Sequence, residues 1–392
     1  MRRRRRRKKG IVHLIEELSL PYTGTAEPVC PCFGRCGGCL FQNISYDHQL
    51  SIKAEYLKRL LAGVSSIDPF LDELKVTGSD PVGYRNRMDF VCAFGMRGLR
   101  ERGAFDCVVD IEKCYIMSDR MNSVWHAARE AVSSIEDYNY LNHTGYLRYG
   151  VVRGARFTNE IMLNFVVAGA IDPILPAAKK MAPLVDSLSV IHQEGLADLS
   201  MGVVLGDVKR GYIEERFDDI IYRITPNSFF QSNSPCAVQI YRRIAELARG
   251  RVLDLFSGVG SITLFVAKHV EEIIGVEIVA EAVESARANA ERNNITNATF
   301  VCTDALPYMK ENARSFDTLI LDPPRSGAHP KVMKGIAACA PERIIYVSCN
   351  PVTFKENVEL LHDYTIVSFE AFDMFPQTPH LESIAVLERK GE

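Results

Sequence analysis

The sequence predicts an α/β protein: a parallel sheet buried on both faces fills the C-terminal half, and a second, mainly antiparallel β domain precedes it. Two observations lead there. After Thr225, brief apolar runs at residues 251–255, 272–277, 298–302, 316–321 and 343–347 alternate with helical stretches such as 280–293, the rhythm of strand and crossover helix. Earlier, the runs are short, alternating and broken by Gly, Asn and Asp. They lie at 88–94, 108–111, 147–157, 161–167, 202–205 and 222–225, with a hairpin turning at 158–160. At 392 residues and 47% apolar side chains, two or three domains with real cores are expected, which excludes a disordered tail or a small disulfide-stapled fold.

Charge is segregated along the chain. Eight of the 46 basic residues form the run Arg2 to Arg7, Lys8 and Lys9, so the other 38 face 49 acidic ones. Such a run is expected to be a solvated, disordered arm making nonspecific phosphate contacts. Neither a secretory apolar core nor an apolar stretch of about 18 residues occurs, so the expectation is a cytoplasmic protein with no membrane partner. Residues 45–61 read as one helix, with Ile52, Tyr56, Leu57, Leu60 and Leu61 at three- and four-residue spacings, Ser45 as N-cap and Gly63 past its end. Eleven cysteines, an odd total without a signal peptide, argue for thiols and metal ligation over disulfides; Cys30, Cys32, Cys36 and Cys39 crowd into ten residues.

The stretch Val252-Leu253-Asp254-Leu255-Phe256-Ser257-Gly258-Val259-Gly260 is a buried strand entering a glycine-bearing turn that opens a helix at Ser261. A ligand can approach the backbone there, at the carboxyl end of the strand. Glu277 ends the next strand, 19 residues after Gly258, where a carboxylate can hold both ribose hydroxyls of an adenosine. Asp304 follows the third strand and suits the adenine edge. Asp322-Pro323-Pro324-Arg325 follows the fourth, the prolines fixing the angle at which Asp322 faces the cleft. One strand-end carboxylate is ordinary; four such features on successive strands are not. Thr263 stands where a dinucleotide fingerprint has Gly or Ala, which favours S-adenosylmethionine, a ligand with no pyrophosphate. After the fifth strand, Ser348-Cys349-Asn350-Pro351 points a cysteine into the same cleft, whereas Cys92, Cys107, Cys236, Cys302 and Cys339 read as small apolar residues.

With Ser228-Phe229-Phe230-Gln231-Ser232-Asn233 and Thr378-Pro379-His380-Leu381-Glu382, these motifs resemble the RNA uracil-C5 methyltransferases that make 5-methyluridine in tRNA or 23S rRNA. These are class I, Rossmann-like enzymes dependent on S-adenosylmethionine, and the likeness runs from about Cys30 to the C-terminus. The resemblance implies that Cys349 is the nucleophile and Glu382 the base, and that Gln231 and Phe256, alongside Glu277 and Asp322, hold the cofactor. Asp322 has a second possible role, hydrogen bonding the uracil and stabilising its enolate. The residue types suit the chemistry. Uracil C5 is too weak a nucleophile to attack a sulfonium methyl unaided; thiolate addition at C6 makes C5 electron-rich, and the C5 proton must then be removed by a carboxylate.

The resemblance also covers Cys30, Cys36 and Cys39 with a distant fourth ligand, Cys114, as a [4Fe-4S] arrangement, zinc being the competing reading. Cys32 is either a bystander or a substitute for Cys30. The cluster is expected to be structural, since methyl transfer needs no electrons. Arg85, in Gly83-Tyr84-Arg85-Asn86-Arg87, resembles a family position near the substrate and is the candidate RNA contact, against a strand-edge salt bridge; Phe229 either stacks near a flipped base or sits in the core. Many members carry an OB-like barrel before the cysteine loop, for which the 29 residues preceding Cys30 are too few, so the basic arm is expected to replace part of its RNA affinity.

The expected segments are residues 1–43, arm and cysteine loop; 44–72, a helix packing on the catalytic domain; 73–224, an RNA-binding β domain with Cys114; and 225–392, the catalytic domain. A monomer acting on RNA, tRNA or rRNA, is expected. The rivals are a base N-methyltransferase, which needs no cysteine at 349, and a catalytically silent iron-sulfur RNA-binding protein.

Overall fold

A computed structural model describes residues 2–313 and 315–391, with the backbone alone at 2–10. These form two compact units, one of residues 2–27, 43–79 and 236–391, the other of residues 28–42 and 80–235.

In the first unit, Arg251–Leu255 is central to a sheet continued on one side by Glu272–Glu277 and Ala298–Cys302, and on the other by Thr318–Leu321 and Arg343–Ser348, all parallel. Val252, Leu253, Leu255, Leu319, Ile320 and Leu321 are buried, which is why these strands read as nearly unbroken apolar runs. Two strands not expected from sequence close this side. Glu382–Arg389 runs antiparallel to Arg343–Ser348, and Tyr364–Phe372 runs antiparallel to it in turn; Val76–Thr77 is parallel to Tyr364–Phe372 at the edge. Reversing Glu382–Arg389 matters for chemistry. Its first residues meet the carboxyl end of its parallel neighbour, with Ser383 opposite Ser348.

The expected helix is present as Tyr46–Leu61 and lies in this unit. Its buried Lys53 forms an ion pair with fully buried Asp373 and donates to the Phe375 carbonyl at 3.1 Å, while Tyr46 donates to the same carboxylate at 3.0 Å. A buried pair broken on one side leaves an uncompensated charge, so Lys53→Met should cost about 3 kcal/mol or more in a urea unfolding series. A loss near zero would show the pair to be dispensable.

The basic run expected as a disordered arm is instead the opening of a helix, Arg2–Ser19. Arg and Lys are good helix formers, and Ile11, Leu14, Ile15 and Leu18 continue it with an apolar stripe. This helix packs on Tyr46–Leu61, with Arg59 bonding Glu17 at 2.7 Å. The residues expected as one N-terminal segment are thus divided: 2–27 belong to the first unit and the cysteine loop to the second. The boundary expected at 224 falls at Pro235.

The second unit is a seven-stranded sheet in the order Ala104–Asp110, Met96–Glu101, Arg87–Ala93, Leu147–Gly154, Ile161–Val167, Ser187–His192 and Val203–Lys209, plus a two-stranded ribbon, Ile213–Phe217 with Ile220–Ile224. Only the Ile161–Val167/Ser187–His192 pairing within that sheet is parallel, and the expected hairpin pairs Gly154 with Ile161. Helix Asp119–Ala131 lays Trp125 on this sheet. Its ring stacks on Phe90 at 3.9 Å, and a Cβ at Gly150 would come within 2.6 Å of it, so that glycine makes room for the indole. Among the described residues no helix is long and apolar enough to cross a membrane.

Candidate active site

Three sequence-predicted residues meet at the carboxyl edge of the parallel sheet. Asp322 follows Leu321, Cys349 follows Ser348, and Glu382 begins the reversed strand beside it. The turns are clasped together. Asn350 donates from Nδ2 to the Arg325 carbonyl at 2.8 Å, accepts at Oδ1 from Val352 N at 3.2 Å, and so ties the cysteine turn to the turn after Asp322. Asn357 accepts from Ala328 N at 2.9 Å and from the Tyr346 hydroxyl at 2.7 Å, fixing the same turn from below.

These groups share one electrostatic field. Burial pushes the Cys349 thiol up to about 12; Glu382 and Asp322 also raise it, and Arg325 opposes them. Burial, then Asp322, holds the Glu382 carboxyl well above the usual carboxylate range, again against Arg325. Burial raises Asp322 as well. Glu382 is 5% exposed, and its Oε2 has no hydrogen-bond partner. Because burial favours the protonated form, this carboxylate once ionised is a strong base, with an oxygen that has no hydrogen bond to lose.

A cavity of about 280 Å³ opens beside the glycine turn, lined among others by Phe256, Glu277, Asp304, Gly327 and His329. Gly260 has φ +76°, and a Cβ there would stand 2.7 Å from the Phe300 ring; Phe256 itself has φ +64°, a strained value for a side-chain-bearing residue. Glu277 accepts from Gly258 N at 3.1 Å and from Val279 N at 2.9 Å, so the carboxylate is aimed by the turn it borders. Asp304 lines the cavity while capping helix Ala305–Glu311 through Leu306 N at 2.8 Å.

Sequence reasoning missed Asp254. It is buried, accepts from the Thr263 hydroxyl at 2.5 Å, and burial raises it to about 7. The available signal was a lone charge inside an apolar strand. Arg325, identified only as part of its motif, is the cation that opposes the negative field at Cys349 and Glu382.

The remaining expected residues lie in the second unit. Gln231 accepts through its carbonyl from Asn86 Nδ2 at 2.8 Å, and Arg153, buried, donates to the Ser228 carbonyl at 2.8 Å, so the segment between is held at both ends. Within it Phe229 is 76% exposed and Phe230 buried, packing on Phe217 and Tyr222; the core alternative for Phe229 is thereby excluded. Arg85 donates from Nε to the Arg87 carbonyl at 2.9 Å.

Cys30, Cys32, Cys36, Cys39 and Cys114 line one mainly apolar cavity. The loop is fastened to strand Met96–Glu101 by Gly37 N to the Arg100 carbonyl, 3.0 Å, and Cys114 N is held by Asn122 Oδ1 at 2.8 Å. Burial pushes the Cys39 thiol to about 11 and Cys114 to about 12, with neighbouring thiols adding to both. Among the described residues no three His, Cys, Asp or Glu side chains form a group that could hold a metal ion.

The family model for tRNA (uracil-5-)-methyltransferases matches residues 206–390. The tRNA (uracil(54)-C(5))-methyltransferase of Pyrococcus horikoshii is 40% identical over 91% of this chain and 85% of its own. An RNA methyltransferase of Nanoarchaeum equitans is 34% identical over 99% of this chain and 86% of its own. The crystal structure of the Pyrococcus abyssi tRNA (uracil-54, C5)-methyltransferase with S-adenosyl-L-homocysteine superposes with a TM-score of 0.78, at 36% identity over 90% of this chain and 86% of that one. With the glycine turn, the cysteine and the glutamate arranged on a sheet of this order, the chain belongs to the tRNA (uracil-5-)-methyltransferase family.

Proposed function

We propose that the chain transfers a methyl group from S-adenosylmethionine to C5 of a uridine in tRNA, uracil 54 being the base named for its Pyrococcus relatives. The observation that carries this reading is the convergence of Cys349, Glu382 and Asp322 on one buried edge beside a cavity suited to an adenosyl group. Glu277 and Asp304 would hold ribose and adenine there, with Phe256 as wall; Gln231 is assigned to the donor by the family resemblance alone. The bound donor supplies an electrophilic methyl group.

Cys349 loses its proton to solvent and its thiolate Sγ adds to C6 of the uracil, while the C5=C6 electrons move toward the carbonyl as an enolate. Asp322, in the protonated form that burial favours, can donate a hydrogen bond to that oxygen. The enolate pair at C5 then takes the methyl group as the donor's S–CH3 bond breaks, its electrons staying on sulfur to leave S-adenosyl-L-homocysteine. Glu382 removes the C5 proton, the C5–H pair re-forms the double bond, and the C6–S bond breaks with its electrons returning to Cys349. Arg85 and the exposed Phe229 are RNA contacts, Phe229 offering a stacking face for an extruded base. The N-terminal basic run adds salt-dependent attraction to phosphates.

The proposal extends to a [4Fe-4S] cluster held by Cys30, Cys36, Cys39 and Cys114, a reading supported by the family resemblance and by these four cysteines lining one cavity. Cys32 donates weakly to the Asp110 carbonyl at 3.8 Å, which favours Cys30 as the ligand. The cluster would pin the loop to the sheet. All eleven cysteines are free, which suits residence in the reducing cytoplasm.

The test is a tRNA transcript carrying 5-fluorouridine at position 54. Fluorine cannot leave as a proton, so a methylated protein–RNA adduct should survive denaturing electrophoresis. No adduct, together with unchanged 5-methyluridine in tRNA from a deletion strain, would refute the proposal; a base N-methyltransferase would leave no adduct either.

A further inference from the structure

We propose that Gln49 is a positioning residue for Glu382, acting through Gln377; the inference rests on Glu382 being the base. Residues 373–381 link Tyr364–Phe372 to Glu382–Arg389. Within that loop Gln377 has φ +66°, a left-handed conformation that a side-chain-bearing residue holds only when its surroundings impose it.

Gln49 imposes it. Fully buried in helix Tyr46–Leu61, it accepts at Oε1 from Gln377 N at 3.0 Å and donates from Nε2 to Gln377 Oε1 at 3.1 Å and to the Ile44 carbonyl at 2.9 Å. Tyr46, Gln49 and Lys53 fall on one helix face, so one element grips the loop at Asp373, Phe375 and Gln377. The loop ends at Glu382, whose Oε2 has no bond of its own to aim it. The direction of that carboxylate therefore depends on the backbone entering its strand. Gln49 touches no reacting atom.

Proton removal comes after attack and methyl transfer, so misaiming Glu382 should slow only the release of Cys349. In a single turnover with labelled methyl donor, Gln49→Met should raise the fraction of protein covalently joined to methylated RNA roughly tenfold, and in steady state lower kcat by a similar factor with kcat/KM for the donor unchanged. A merely structural role would lower stability and all steps together, without adduct. Should Gln49→Met not fold, Gln377→Gly keeps the left-handed backbone while deleting the side-chain half of the tie, and the same accumulation is expected. Glu382→Gln is the reference. If it accumulates labelled adduct while Gln49→Met or Gln377→Gly does not, the inference alone is overturned; if it accumulates none, the base assignment fails and the inference with it.

Discussion

Cys349→Ser should reduce methyl incorporation about a thousandfold or more while leaving donor binding within about twofold. The thiol itself is pushed to about 12 by burial and by the neighbouring carboxylates, so a site that ionises sulfur reluctantly will not ionise a serine hydroxyl, whose intrinsic acidity is far lower. The cavity bounded by Phe256, Glu277 and Asp304 is untouched by the exchange. Methyl transfer from labelled donor and calorimetric titration with the donor read the two quantities separately. Substantial turnover by the serine variant would mean that C5 is activated without covalent addition.

Glu382→Gln should lower overall turnover about a hundredfold and fill the protein with methylated adduct, because attack needs Cys349 and release needs the carboxylate. The same variant has a consequence in the free protein. After burial, the Glu382 charge is the largest contribution raising the Cys349 thiol. Replacing an anion by a neutral amide favours the thiolate, so the folded-state thiol titrates lower, and at a pH where Glu382 is ionised in the wild type, iodoacetamide should alkylate Cys349 faster in the variant. Peptide mass spectrometry distinguishes this site from exposed Cys107 and Cys302. Slower alkylation would contradict the field described for the site.

The parallel strands were legible because burial on both faces leaves a plain mark, a continuous apolar run before each functional turn. Cys349 and Asp322 were legible for the same reason: each follows such a run directly. Strands Tyr364–Phe372 and Glu382–Arg389 were not, since Ser368, Glu370 and Glu388 interrupt the pattern, and nothing local says that the last strand reverses. Glu382 was therefore reached through resemblance alone, although its partner across the sheet explains its position. Buried Lys53 and Asp373 lie 320 residues apart, and no local rule connects them. The basic run misled in a different way: a block of like charge read as a solvated arm, while helix propensity and the apolar stripe beyond it produced a helix.

The edge strand Val76–Thr77 pairs with Ala371 and Phe372, and the helix before it grips the loop entering the final strand. Such long sequence separations delay folding, since loop closure must precede the contacts that reward it. A ribosome must release nearly the whole polypeptide before Glu382–Arg389 can pair beside the strand that leads to Cys349, so the site is completed only at the end of synthesis.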